Sequence, residues 1–130
     1  MFINCESDQS ILIVDDDKSI VKILARILQR VGCSVTAAET GQEALRKLET
    51  QMYDAAVIDV RLQDMNGLDL LDTMQTIAPG MMKIVLTGYP SDEDRTRALT
   101  QGAHYYLSKP VKPEELIKII KSKIKKTDKQ

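Results

Sequence analysis

The chain predicts an α/β fold, a parallel sheet with helices on both faces. Three observations predict it. Strand-like runs recur five times, and two of them, "ILIV" and the "AAVI" that precedes Asp59, are continuously apolar, as in strands buried on both faces. Stretches of helical period separate the runs, so the order is strand, helix, strand, helix. The 130 residues suit a single domain of that kind.

The elements follow in order. "ILIV" (11–14) is the first strand. Ile20, Leu24, Ile27, Leu28 and Val31 then recur at helical spacing, with Asp17 placed as N-cap and Gly32 closing the helix. "CSVTAA" (33–38) reads as a shorter second strand. "TGQEALRKL" opens on a capping box, Thr40 with Glu43 three residues on, and turns Ala44, Leu45 and Leu48 inward. "AAVID" (55–59) is the third strand, and Leu70, Leu71, Met74 and Ile77 form the next helical stripe. Pro79-Gly80 marks a turn before the fourth strand, "MKIVLT" (82–87). The helix of "SDEDRTRALTQG" starts at Ser91, places acids where the helix dipole favours them, and has a weak apolar face of Ala98 and Leu99. "HYYLS" (104–108) is the fifth strand, and Pro113 begins a last helix with Leu116, Ile117, Ile120 and Ile124 toward the core. Residues 1–9 and 127–130 read as tails around a domain of 10–126.

Composition narrows the function classes. The net charge of -1 gives no general attraction to nucleic acid or anionic lipid, and the lysine-rich end reads as a solvated helix terminus. The apolar runs are far too short to span a bilayer, and the first ten residues lack the pattern of a secretory signal. Cys5 and Cys33 make no disulfide framework and read as reduced thiols of a cytoplasmic protein. Direct nucleic-acid and membrane partners are therefore not expected.

In open parallel sheets, ligands bind beyond the carboxyl ends of the strands. There the first strand runs into Asp15 and Asp16, the third ends in Asp59, the fourth in Thr87, and the fifth leads to Lys109. Alone, each has a plain reading as a turn, cap or surface residue. Together they bring three carboxylates, a hydroxyl and an ammonium to one edge. Clustered carboxylates stay ionised only beside compensating cations. With oxygen donors and no histidine or cysteine, the expected cation is Mg²⁺, or Mn²⁺ in its place. A carboxylate beside such an ion suits phosphoryl transfer through an acyl phosphate.

These residues resemble the receiver (response-regulator) domain family of two-component signalling. The resemblance rests on "LIVDDD", "AAVIDVRLQDMNG", "IVLTG" and "GAHYYLSKP", in that order and at the family's spacing, and covers about residues 10–126. It implies a flavodoxin-like, doubly wound (βα)5 sheet of strand order 2-1-3-4-5. It implies Asp59 as phosphoacceptor, and Asp15, Asp16, Asp59 and the backbone carbonyl of Arg61 as metal ligands. Thr87 is implied as switch hydroxyl, Tyr106 as switch aromatic, Lys109 as the phosphate-pairing lysine, and Lys109–Pro110 as a cis peptide. Implied partners are a sensor histidine kinase or histidine phosphotransfer domain, and a downstream effector on the 91–126 face. A phosphorylation-dependent dimer through that face stays open. The module would be a switch rather than an enzyme, assisting at most its own phosphorylation and dephosphorylation. The sequence departs from the family at Gln63, where proline is common, and at Tyr105. Arg61 and Tyr89 are bulky at positions that influence water's access to the phosphoryl group.

Two rival readings accompany it. "DDDKS" also resembles the first motif of haloacid-dehalogenase-type phosphatases, with Asp15 as nucleophile, Asp17 as acid/base and Glu114-Glu115 as the later acidic pair. The other rival is a receiver-shaped interaction domain that is never phosphorylated.

Overall fold

Five parallel strands form one sheet in the computed structural model, which describes residues 9–128, with side chains through residue 122. They are β1 (Ser10–Val14), β2 (Ser34–Ala38), β3 (Ala55–Ile58), β4 (Met82–Thr87) and β5 (Tyr105–Ser108). Their order is β2-β1-β3-β4-β5, the flavodoxin-like order implied above. Between and after them run α1 (Lys18–Arg30), α2 (Gly41–Thr50), α3 (Gly67–Ile77), α4 (Asp92–Thr100) and α5 (Pro113–Asp128). Cys33, Asp59 and His104 fall just outside the strands predicted to hold them.

The two-residue period of the strands sorts the core into two layers. Ile11, Ile13, Val57, Ile84 and Leu86 face Leu24 and Leu28 of α1 and Leu116, Ile119 and Ile120 of α5. Leu12, Val14, Ala56, Ile58 and Val85 face α2, α3 and α4. The central strands are therefore buried on both sides, which is why their sequences lack polar alternation.

The helices start where the sequence marks them. The side chains of Asp17, Thr40, Asn66 and Ser91 cap α1 to α4, each accepting from backbone N–H groups of the first turn. Gly32, at φ 92°, lets the chain leave α1 in the left-handed region. Two stripe assignments need correction. Ile77 and Leu99 are 52% and 44% exposed, because each sits one step past the face its helix buries. Leu68 and Ile119 take core positions that were not assigned to them. Ile124 lies beyond the described side chains, as do the terminal lysines, and Cys5 lies outside the described residues.

Lys83 is a further surprise. It stands on β4 at 0% exposure, and its Nζ donates to Gln75 Oε1 at 2.7 Å and to the Ala78 carbonyl at 2.5 Å. α3 has no basic residue in its last turn, so Lys83 supplies the positive partner to that helix end from the next strand.

Candidate functional site

The carboxyl edge of the sheet gathers the residues that chain order scatters. Asp15 follows β1 directly and is 3% exposed. Its Oδ1 accepts from Asp17 N–H at 3.0 Å and its Oδ2 accepts from Lys109 Nζ at 2.9 Å. Asp59 follows β3 at 8% exposure, with its backbone N–H donating to the Val14 carbonyl at 2.9 Å, which locks it beside the end of β1. Lys109 Nζ lies 3.4 Å from Asp59 Oδ1, so one ammonium serves two carboxylates. Asp16 is half-buried and completes the acidic group: Asp15, Asp16 and Asp59 each offer an oxygen, all within 4.8 Å of one another. Asp17 stands apart, with its exposed carboxylate accepting from Ser19 and Ile20 N–H at the start of α1.

The electrostatics are unbalanced toward negative charge. Burial, then the charge of Asp15, hold the Asp59 carboxyl above its ordinary range, against the pull of Lys109 and of the Arg61 backbone N–H. Burial alone would push the Lys109 ammonium down, but Asp15 and then Asp59 outweigh it, so it is held above its ordinary range and stays charged. Three carboxylates against one ammonium leave room for more positive charge, and an all-oxygen donor set fits a hard divalent cation. Asp15, Asp16 and Asp59 are the side chains able to hold it.

The switch candidates lie one and two strands away. Thr87, 1% exposed at the end of β4, accepts from Tyr89 N–H through its hydroxyl at 3.1 Å. Lys109 N–H donates to the Thr87 carbonyl at 2.8 Å, which ties the lysine's backbone to that strand end. Tyr106 on β5 is paired in register with Val85. Its ring is buried, and its hydroxyl accepts from Ser91 N–H at 3.1 Å, at the cap of α4. Arg95 approaches the same ring at 5.4 Å. At the mouth of the site the Arg61 guanidinium lies over the Tyr89 ring, 4.1 Å from its centroid. The Lys109–Pro110 peptide is cis.

The loop from Asp59 into α3 holds what the residue patterns did not disclose. A Cβ on Gly67 would meet the Asp59 carbonyl oxygen at 2.0 Å, so only glycine lets α3 begin this close to the acid. Asp64 accepts from Gly41 N–H at 2.9 Å and Gln42 N–H at 3.0 Å, across more than twenty residues of chain. Nothing local in the sequence signals that contact, because it depends on how α2 is docked. Among the described residues no helix is long and apolar enough to cross a membrane.

Comparison with known proteins agrees with this fold. The model of the response regulator receiver domain family matches residues 11–121. The chain is 38% identical over 110 residues to the transcriptional regulatory protein GlrR of Escherichia coli, covering 85% of this chain and 25% of that protein. A CheY-like receiver domain protein from Methanospirillum hungatei superposes with a TM-score of 0.89 at 40% identity, covering 94% of this chain and 98% of that one. A response regulator from Burkholderia pseudomallei, solved with a phosphorylated aspartic acid and a calcium ion, has a TM-score of 0.83 at 29% identity, covering 93% of this chain and 71% of that one. The chain spans about a quarter to a half of the length of the first curated relatives it matches.

Proposed function

This chain belongs to the response regulator receiver domain family of two-component signalling, and from that premise we propose that it is a switch thrown by phosphorylation of Asp59. Receiver domains pair with histidine kinases and effector domains, and they hold a divalent metal in an acidic pocket. The single observation that carries the proposal is the burial of Asp59 within one cluster with Asp15, Asp16 and Lys109.

In the proposed reaction, an Asp59 carboxylate oxygen attacks the phosphorus of a phosphohistidine on a sensor kinase or phosphotransfer domain. The new O–P bond forms as the P–N bond breaks, and the histidine nitrogen keeps the electron pair and takes up a proton. Asp15, Asp16, Asp59 and the Arg61 carbonyl would hold Mg²⁺, which supplies positive charge opposite the phosphoryl oxygens. Lys109 is already charged and placed to pair with one of those oxygens, and Asp15 keeps its ammonium aimed at the site. The exposure of Asp17, occupied at its cap, and of Glu114 and Glu115 at the start of α5 argues against the phosphatase reading. The experiment compares Asp59→Asn with Asp15→Asn under a small phosphoramidate donor, with the adduct followed by mass spectrometry. Asp59→Asn should abolish the adduct and Asp15→Asn only slow it; the reverse pattern would make Asp15 the nucleophile.

The output follows from the neighbours of Thr87. A phosphoryl group brings about -1.5 to -2 of charge. Thr87 would exchange its bond from Tyr89 N–H for one to that group, and Tyr106 would leave Ser91 for the space released. Moving such an equilibrium from 1:99 to 99:1 takes about 5.5 kcal/mol, and charged hydrogen bonds contribute roughly 1.5–3 kcal/mol each. Two or three new ones reach that scale. Thr87→Ala should therefore keep the Asp59 adduct while Tyr106 stays hydrogen-bonded to Ser91. NMR of the ring with a phosphoryl mimic tests this, and a normal ring movement refutes the coupling. We place the effector surface on the 91–126 face, the receiver module in residues 10–126, and the protein in the cytoplasm.

A further inference from the structure

We propose that Asp64 is a positioning residue for the metal, tying the loop that carries the Arg61 backbone to the N-terminus of α2. The inference rests on the reading of the acidic cluster as a Mg²⁺ site, and goes beyond it in naming what holds one wall of that site in place.

The loop between Asp59 and Gly67 has a closed base and a projecting tip. At the base, Gly67 N–H donates to the Val60 carbonyl at 2.7 Å, and Arg61 and Asn66 form an antiparallel bridge. Asn66 then caps α3 through Leu68 N–H at 2.7 Å. The tip, residues 62–65, extends away from this base and toward α2. Asp64 reaches α2 with both carboxylate oxygens, one to Gly41 N–H and one to Gln42 N–H. Met65 fills the space beside Gly41, where a Cβ would meet its sulfur at 2.4 Å. No proline stiffens the tip, which has Gln63 instead. Gly41 and Gln42 are first-turn donors with no partner inside their own helix, and Thr40 serves only Glu43 N–H. Asp64 therefore does two things at once: it completes the cap of α2 and orders the tip. The backbone hydrogen bonds hold its carboxyl below the ordinary range, so the tether is charged at neutral pH. The bridge to Asn66 restrains Arg61 from the base, and an ordered tip adds a second restraint just beyond it before a cation arrives; without the tether that remaining freedom must be removed by the cation at a cost in affinity.

The test measures Mg²⁺ binding to the unphosphorylated chain by calorimetry, and amide hydrogen exchange of residues 61–66 in chelator. Asp64→Ala should weaken Mg²⁺ binding about tenfold, the lower end of the range for groups that orient metal ligands, and speed exchange in the loop. Asp64→Asn, which keeps one acceptor, should recover part of both, and serves alone if Asp64→Ala fails to fold. Thr40→Ala removes a cap from the same helix end without touching the loop. It should lower the melting temperature and leave Mg²⁺ affinity unchanged. Wild-type Mg²⁺ affinity in Asp64→Ala, or an equal loss in Thr40→Ala, overturns the proposal. If the wild-type chain takes no Mg²⁺, the reading of the cluster falls. The tether is then decided by exchange alone: faster exchange in Asp64→Ala upholds it and unchanged exchange overturns it.

Discussion

α3 and α4 pack on the same face of the sheet and follow the two strand ends that present Asp59 and Thr87, yet they are held by different forces. α3 buries Leu68, Leu70, Leu71 and Met74, all at 0% exposure. α4 buries Ala98 alone. Polar contacts make up the difference: Arg97 reaches Asp69 of α3 at 2.5 Å, and Ser91 N–H donates to the Tyr106 hydroxyl. Apolar packing does not respond to a charge placed nearby, whereas hydrogen bonds and ion pairs do. Asp59 is thus followed by the more firmly packed of the two helices, and Thr87 by the one freer to shift.

The contrast can be broken by unpacking α3. Leu71→Ala should cost about 2–5 kcal/mol of stability, the range for a buried leucine, read as a drop in the urea midpoint. A cost below about 1 kcal/mol would mean that α3 is no firmer than α4.

A smaller effect concerns Asp59 itself. Burial and the Asp15 charge raise the folded-state Asp59 carboxyl, so the folded chain holds a proton that the unfolded chain has already released. Stability therefore falls as pH rises from the ordinary carboxylate value through the raised one, and the loss is complete above it. In chelator at neutral pH, Asp59→Asn should stabilise the chain by about 1 kcal/mol, a typical size for one substitution. That gain should fade below about pH 4, where both states are protonated. Chemical denaturation across pH measures it, and a pH-independent gain would remove the titration from the account.

The smallest expected change sharpens the comparison most. Arg97→Ala breaks the one ion pair found between α3 and α4 among the described residues, and should lower global stability by about 0.5 kcal/mol, as for a partly exposed pair. Exchange of the α4 amides should accelerate while that of α3 does not. Equal acceleration in both helices would show that they open together.

Much of this was legible because local rules governed it. "ILIV" and "AAVI" read as central strands since burial on both faces removes the polar alternation. Asp17, Thr40 and Ser91 read as caps since the first turn needs acceptors wherever a helix begins. Asp15, Asp16, Asp59, Thr87 and Lys109 could be placed on one edge once the strands were assigned. Ile77 and Leu99 were misplaced because periodicity gives the direction of a stripe but not the point where its neighbour ends. Asp64, Asp69 with Arg97, and Lys83 depend on which elements dock together, and their partners are distant in the chain or set by the docking of α3 on β4.

The buried Lys83 side chain acts as a bolt between α3 and β4. Sliding one past the other would draw the Nζ donor off its two acceptors in a place water does not reach. Piston-like travel of α3 against β4 would break both bonds, so this joint resists sliding, whereas the adjoining α4, with Ala98 alone buried, has no such bolt among the described residues.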